Sequence, residues 1–297
     1  EEKTPVLQEY IYIPDTANGR IQVFDTEGSF AFTIGTPGRE KGKLRMPTDT
    51  LVYNNELYVL DKGNNRIQVY DTEGNFRRSF GEGKLKYPLG FEMYNDQLYI
   101  VDTYNTEVDI FTPEGTYIKS FGKKGKKEGE FRYPSDIAID DQGIFVLDTD
   151  NNRIQCFDHT GNFTLKWGVY SSEEHGLRFP FGIVTYNKSI YVSDTRNHRM
   201  NVYDSKGKLI NQFGDFGKDT EEFRFQSKLW VLNDMLFIAD TRNNRIKAYT
   251  PDGQALFNFG KYGRGPGELR IPGGLRHIKG GEIINKTNLN ATGDPYA

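Results

Sequence analysis

The 297-residue sequence has one cysteine, Cys156, so no disulfide can form within the chain. That neither requires nor excludes an oxidising compartment. No run of about 18 apolar residues is present, so no membrane-spanning helix is expected. Amphipathic helical periods are scarce, which argues against an α/β architecture. Neither sign of charge is in surplus: 38 Lys and Arg face 41 Asp and Glu, a net charge of −3. Nucleic-acid-binding domains usually carry a basic excess, so nucleic acid is not the expected partner. The four histidines, His159, His175, His198 and His277, neither recur in step nor fall at metal-ligand spacing. What the chain does have is 32 Gly, 21 Phe and 18 Tyr. Large flat side chains of this kind fill the space between sheets stacked face to face.

These residues are organised by a repeat. The stretch DTDNNRIQCFDHTGNF, Asp148 to Phe163, occurs in six variants beginning at Asp15, Asp61, Asp102, Asp148, Asp194 and Asp240. The successive spacings are 46, 41, 46, 46 and 46 residues, a period that signals a repeat architecture. Aligned on Asp148, the unit opens at Pro134. Four short runs follow, 135–140, 144–147, 153–157 and 162–167, separated by Asp/Asn/Gly turns. Gly and Asn tolerate the positive φ that tight turns need, so the runs read as strands. Four strands in each of six repeats predict an all-β fold: a six-bladed β-propeller of four-stranded antiparallel blades.

Within each repeat the core Asp-Thr-x-Asn-x-Arg is clearest at Asp148 to Arg153, Asp194 to Arg199 and Asp240 to Arg245. Asp61 to Arg66 and Asp15 to Arg20 are variants of it. The fourth run closes on an aromatic-Gly pair, as in Phe80-Gly81, Phe121-Gly122, Trp167-Gly168, Phe213-Gly214 and Phe259-Gly260. These in-phase motifs resemble the NHL repeat family over nearly the whole chain. The resemblance implies a six-bladed propeller that mostly binds other molecules, and no single activity. Physically, the Asp suits acceptance of loop amides, the Asn suits positive φ, and the Arg can reach the Asp or neighbouring carbonyls. The loops therefore read first as structural staples.

One propeller domain is expected over residues 1–286, with a poorly ordered tail over 287–297. The first repeat lacks its opening Pro, and Pro272 lies in phase for that position. The ring is thus expected to close by pairing of the two chain termini. Residues 274–278 would supply the inner strand beside residues 10–13, with residues 4–9 as the alternative. The chain begins Glu1-Glu2-Lys3 without Met, the basis for expecting an extracytoplasmic, secreted or periplasmic protein.

Three departures from the repeat frame the candidate sites. The connection 81–87 is short by five residues. The staple Arg of blade three becomes Glu107, and the opening Pro of blade six becomes Gln226. Two residues past the opening position come Asp49, Asp136 and Lys228, with Gly at the other blades; Asp49 and Asp136 at the channel mouth are the candidate ligands for a calcium ion. Otherwise no cofactor is expected. The loop face is basic in 36–47 and 123–134 and acidic in 214–226. Single-stranded nucleic acid on its basic part, with Tyr87, Tyr104 and Tyr133 as stacking platforms, is one alternative function. A metal-dependent propeller hydrolase or lyase is another, although no clustered nucleophile supports it. The leading expectation is non-enzymatic recognition of a protein, peptide or glycan over blade three. Its candidate residues are Tyr87, Tyr104 and Glu107, with Glu92 in the channel facing Arg276 or a wet cavity.

Overall fold

The computed structural model describes residues 10–273. The repeat folds as its punctuation dictates. In blade four, strands Pro134–Asp140, Gly143–Asp148, Arg153–Phe157 and Phe163–Trp167 pair consecutively and antiparallel. Between the second and third strands lies one 3-10 turn, Thr149–Asn151, closed by Asn152 at φ 51°. Strand side chains alternate sides, and here both sides are buried. Ile144 and Val146 face blade three; Phe145 and Leu147 face blade five. That is why the second strand of each blade reads as a continuous apolar run instead of alternating with polar residues.

Six such blades form the propeller, and six apolar clusters fill the gaps between neighbours. The cluster joining Ile11, Ile13 and Phe24 of blade one to Trp230, Leu232 and Phe237 of blade six closes the ring. Cys156 is a buried member of the cluster between blades four and five, and burial raises its thiol pKa. Within the described residues blade one has three strands, Tyr10–Asp15, Arg20–Asp25 and Phe30–Ile34. Pro272 pairs with Asp15 as Pro134 pairs with Asp148, and Gly273 N donates to Pro14 O at 3.0 Å. Pro272 and Gly273 thus stand beside Asp15 and Pro14 where the inner strand opens in blade four. Residues 274–278, the alternative 4–9, the tail 287–297, and with them Arg276 and His277, lie outside the described residues. Among the described residues no helix is long and apolar enough to cross a membrane.

The connections between blades run across one end of the ring, on the same side as the 3-10 turns. Four of them, such as Lys123–Lys124 with Glu130–Phe131, form a two-residue parallel ladder. Each tucks one apolar side chain, Phe131 in this case, under the loop. Gly122, at φ 93°, permits this: a Cβ there would lie 2.3 Å from the Phe131 ring. The short connection 81–87 has no ladder. It turns on Gly81, with the amides of Lys84 and Leu85 donating to Gly81 O, and buries Leu85.

Candidate functional site

The staple loops are built alike. In blade four, Asp148 Oδ1 accepts the Arg132 amide at 2.7 Å. Its Oδ2 accepts from Asn151, Arg153 Nε and Gln155. Arg153 also donates to the carbonyls of Lys127 and Glu130, tying the preceding connection to the blade. The buried Asp148 carboxyl has a raised pKa because burial outweighs these hydrogen bonds. One expectation needs correcting. The motif Asn does not take positive φ; it uses its amide to bridge Asp148 and Gly125 O. Positive φ falls one residue later, at Gly19, Asn65, Thr106, Asn152, His198 and Asn244.

Blade three keeps the backbone and inverts the charges. Asp102 still accepts the Lys86 amide and Asn105. Glu107, however, turns away to Ser120 and to Lys84 Nζ, which lies 2.7 Å off. Where other blades place Gln22, Gln68 or Gln155, blade three has the fully buried Asp109, whose Oδ1 is also 2.7 Å from Lys84 Nζ. Glu107 thus takes away the guanidinium that Asp148 has and adds a negative charge, and the shortened connection supplies Lys84 to Glu107 and Asp109. Three carboxylates, Asp102, Glu107 and Asp109, have oxygens within 4.8 Å of one another, and two of them, Glu107 and Asp109, pair with that ammonium. Burial pushes the Asp109 carboxyl up to about 7, and the two neighbouring carboxylates reinforce the rise against Lys84. Lys84 is held above its usual range by the acids it faces. Lys84 and Asp109 are members of this cluster that the sequence reading missed. The signal for Asp109 was there, a carboxylate in a column of Gln, Asn and Lys.

The aromatic candidates do come together. Tyr87 and Tyr104 stack at 4.4 Å between ring centroids, 15° from parallel. Tyr104, 52% exposed, lies 6.1 Å from Tyr133, and Tyr133 lies 6.3 Å from Phe179. An arc of rings therefore runs from blade three to blade five. Lys62 sits 4.8 Å over Tyr87 at one end and Arg196 4.8 Å over Phe179 at the other. Glu92 is half-buried on the inner strand Gly90–Tyr94, opposite Tyr99; the equivalent Leu51 and Ala138 belong to clusters between blades.

The arc is part of a six-fold pattern. The residue before each opening position is apolar and has positive φ: Met46, Tyr87, Tyr133, Phe179, Phe225 and Ile271. The residue before that is basic in every blade: Arg45, Lys86, Arg132, Arg178, Arg224 and Arg270. Its amide is the one held by the staple Asp at Arg45, Lys86, Arg132, Arg178, Arg224 and Arg270 alike. The staple thus fixes where the cation and the apolar residue stand on the loop face.

Beneath this rim, Lys228 Nζ of blade six meets Asp49 Oδ2 of blade two at 3.2 Å and also contacts Asp136 Oδ1 of blade four. All three are buried. The glycines at intervening blades make room: a Cβ on Gly90 would come within 2.6 Å of Lys228 Nζ and closer still to Asp136. The ammonium stands where the two carboxylates converge. The histidines are dispersed. His159 stacks on Tyr94 at 5.0 Å and contacts Asp140 O. His198 accepts the Phe225 amide through Nδ1, and burial lowers its pKa. His175 is exposed on a connection.

Comparison with known proteins supplies the family. Residues 3–81 and 82–167, more than half of the chain, match the model of a 6-bladed beta-propeller family. The chain belongs to this family. No curated protein matches this family member in sequence. Among solved structures, the propeller is similar to one in a nidogen/laminin complex: TM-score 0.70, 12% identity, covering 93% of this chain and 98% of that chain. It is similar to a streptogramin B lyase at TM-score 0.62 and 13% identity, covering 90% and 83% of the two chains. A catalytically inactive virginiamycin B lyase from Staphylococcus aureus with quinupristin gives TM-score 0.59 and 13% identity, covering 88% and 86%. At these identities what is shared is the fold.

Proposed function

We propose that this propeller is a non-enzymatic recognition module of NHL type that binds a protein, peptide or glycan through its loop face over blades three to five. The observation that carries the reading is the arc of Tyr87, Tyr104, Tyr133 and Phe179 beside the short connection. Tyr and Arg are the residues that most often anchor recognition surfaces, because they bring large contact area with a polar end. The likeness to the propeller of a nidogen/laminin complex is consistent with a protein partner. For the chemistry, a metal-dependent hydrolase or lyase would need an open metal position. In the one described set of three converging acids, two already pair with Lys84. At the channel mouth Lys228 supplies the positive charge that a calcium ion between Asp49 and Asp136 would bring. We read the propeller as one domain over residues 1–286, extracytoplasmic, with no cofactor.

Selection of displayed peptides and an immobilised glycan panel against the full chain tests the reading. Binders are expected whose capture is lost in Tyr104→Ala combined with Tyr87→Gly. Glycine accepts the φ of 57° at position 87, so that double variant keeps its backbone. Binders retained in full by this variant would place the recognition surface elsewhere.

A further inference from the structure

The chemistry of the ligand follows from three features of the loop face. First, the aromatic identities are not required by the turn. All six residues before the opening positions share positive φ, and Met46 and Ile271 satisfy it as Tyr133 and Phe179 do. A bulky residue in this conformation is strained, and strain of this kind marks functional surfaces. The turn accounts for the conformation; something else accounts for the rings at blades three to five. Second, the ends of the arc are capped. Tyr87 is covered by both Tyr104 and Lys62, and Arg196 covers Phe179. A run of stacked nucleobases or sugars needs free faces along the whole arc, whereas its end rings present edges and cationic heads. Third, the spacing fits an extended chain. Side chains on one side of a strand recur at about 6.6 Å, and the centroid steps Tyr104–Tyr133 and Tyr133–Phe179 are 6.1 and 6.3 Å.

Charge sets the sign of the partner. Lys86 and Arg132 are exposed beside the arc, and Arg196 caps it. Yet the whole chain carries a net charge of −3, and Asp150 stands exposed next to Arg132 in space. A uniformly anionic polyphosphate meets such acids with repulsion; a peptide places its carboxylates only where cations wait.

We propose that the arc of Tyr104, Tyr133 and Phe179, with Lys86, Arg132 and Arg196, receives an extended acidic peptide segment of a partner protein. Alternate residues of the segment lie along the rings, and its carboxylates pair with the three cations. The proposal rests on the loop-face reading above and narrows it to one ligand chemistry.

The test is fluorescence anisotropy of the full chain with a labelled peptide of about ten residues alternating Glu and Val, the same peptide with Gln for Glu, and an oligothymidylate of similar length. The acidic peptide is expected to bind, and its Gln counterpart to bind roughly tenfold more weakly. Arg132→Glu combined with Arg196→Glu should weaken the acidic peptide by roughly tenfold or more. Tyr133→Gly should also weaken it without lowering Tm, because glycine relieves the positive φ. Three results overturn the proposal: no saturable binding of the acidic peptide at about millimolar concentration, equal binding of the Gln peptide, or tighter binding of the oligothymidylate. Those results leave the loop-face reading standing if displayed ligands still need Tyr104. Acidic-peptide binding that is unchanged in the Arg132, Arg196 and Tyr133 variants overturns both.

Discussion

Blades three and four share the strand order and the left-handed residue that closes the loop, Thr106 and Asn152, and hold their loops with opposite charges. In blade four one buried carboxylate, Asp148, gathers Asn151, Arg153 and Gln155, and the Arg carries the connection. In blade three the strand supplies acids, Glu107 and Asp109, and the connection supplies the cation, Lys84. The conserved geometry of the turn is therefore independent of which segment brings which charge. What the exchange changes is the balance. Blade four has one acid and one base in its staple; blade three has three neighbouring acids, two of them paired with one lysine. Blade three also follows a connection without a two-residue ladder, and its loop carries the exposed Tyr104.

The comparison is broken most severely in blade four. Asp148→Ala removes the acceptor of the Arg153 guanidinium, which is 9% exposed. Removing one partner of a buried pair leaves an uncompensated charge and should cost about 3–5 kcal/mol in urea unfolding. The equivalent break in blade three is Lys84→Met. Lys84 is 34% exposed, so solvent screens the lost pairs and the expected cost is smaller, about 2 kcal/mol at pH 8. That cost should shrink towards pH 5 as Asp109 takes up its proton. A pH-independent Lys84→Met penalty would show that Asp109 does not share the lysine's charge.

Much of this was legible in the sequence, for a physical reason. Propeller strands are short and bounded by residues that tolerate turns, so Pro134, Gly143, Asn152 and Gly161 marked blade four within a residue or two of its strands. The staple was legible because Asp148 and Arg153 are complementary at a spacing the turn fixes. Lys84 was not legible, because its role depends on where a non-repeating connection carries it. Asp109 was overlooked because its column of Gln22, Gln68 and Gln155 looked like polar filler, when each of those glutamines hydrogen-bonds connection carbonyls. Tyr87, Tyr104 and Tyr133 were read together as stacking platforms; that Tyr87 and Tyr133 each precede an opening proline and follow a basic residue shows once all six repeats are aligned.

Asp109 sharpens the comparison by pH. Its folded-state carboxyl titrates near 7, above the ordinary carboxylate range. Between about pH 4 and pH 7 the folded chain therefore binds more protons at this site than the unfolded chain. The contribution of Asp109 is then fully favourable at low pH and is lost as pH rises through about 7. Asp109→Asn mimics the protonated carboxyl at every pH. Thermal unfolding should find it nearly neutral at pH 5 and stabilising by about 1 kcal/mol at pH 8. Destabilisation at both pH values would mean that the ion pair with Lys84 outweighs the burial of the carboxylate.

The smallest effect on stability is expected at the residue with the largest expected effect on binding. Tyr104 is 52% exposed and belongs to none of the six inter-blade clusters. Its described contacts are the stack on Tyr87 and the approach to Tyr133. An exposed stack contributes little to folding, so Tyr104→Ala should change unfolding free energy by less than about 0.5 kcal/mol. The same ring bridges the two halves of the arc: without it, Tyr87 and Tyr133 have no aromatic neighbour between them. Capture of displayed ligands should therefore fall sharply while the melting curve stays in place. If stability falls with Tyr104→Ala and binding survives, the arc is a brace for the short connection between blades two and three, and blade three departs from blade four for structural reasons alone.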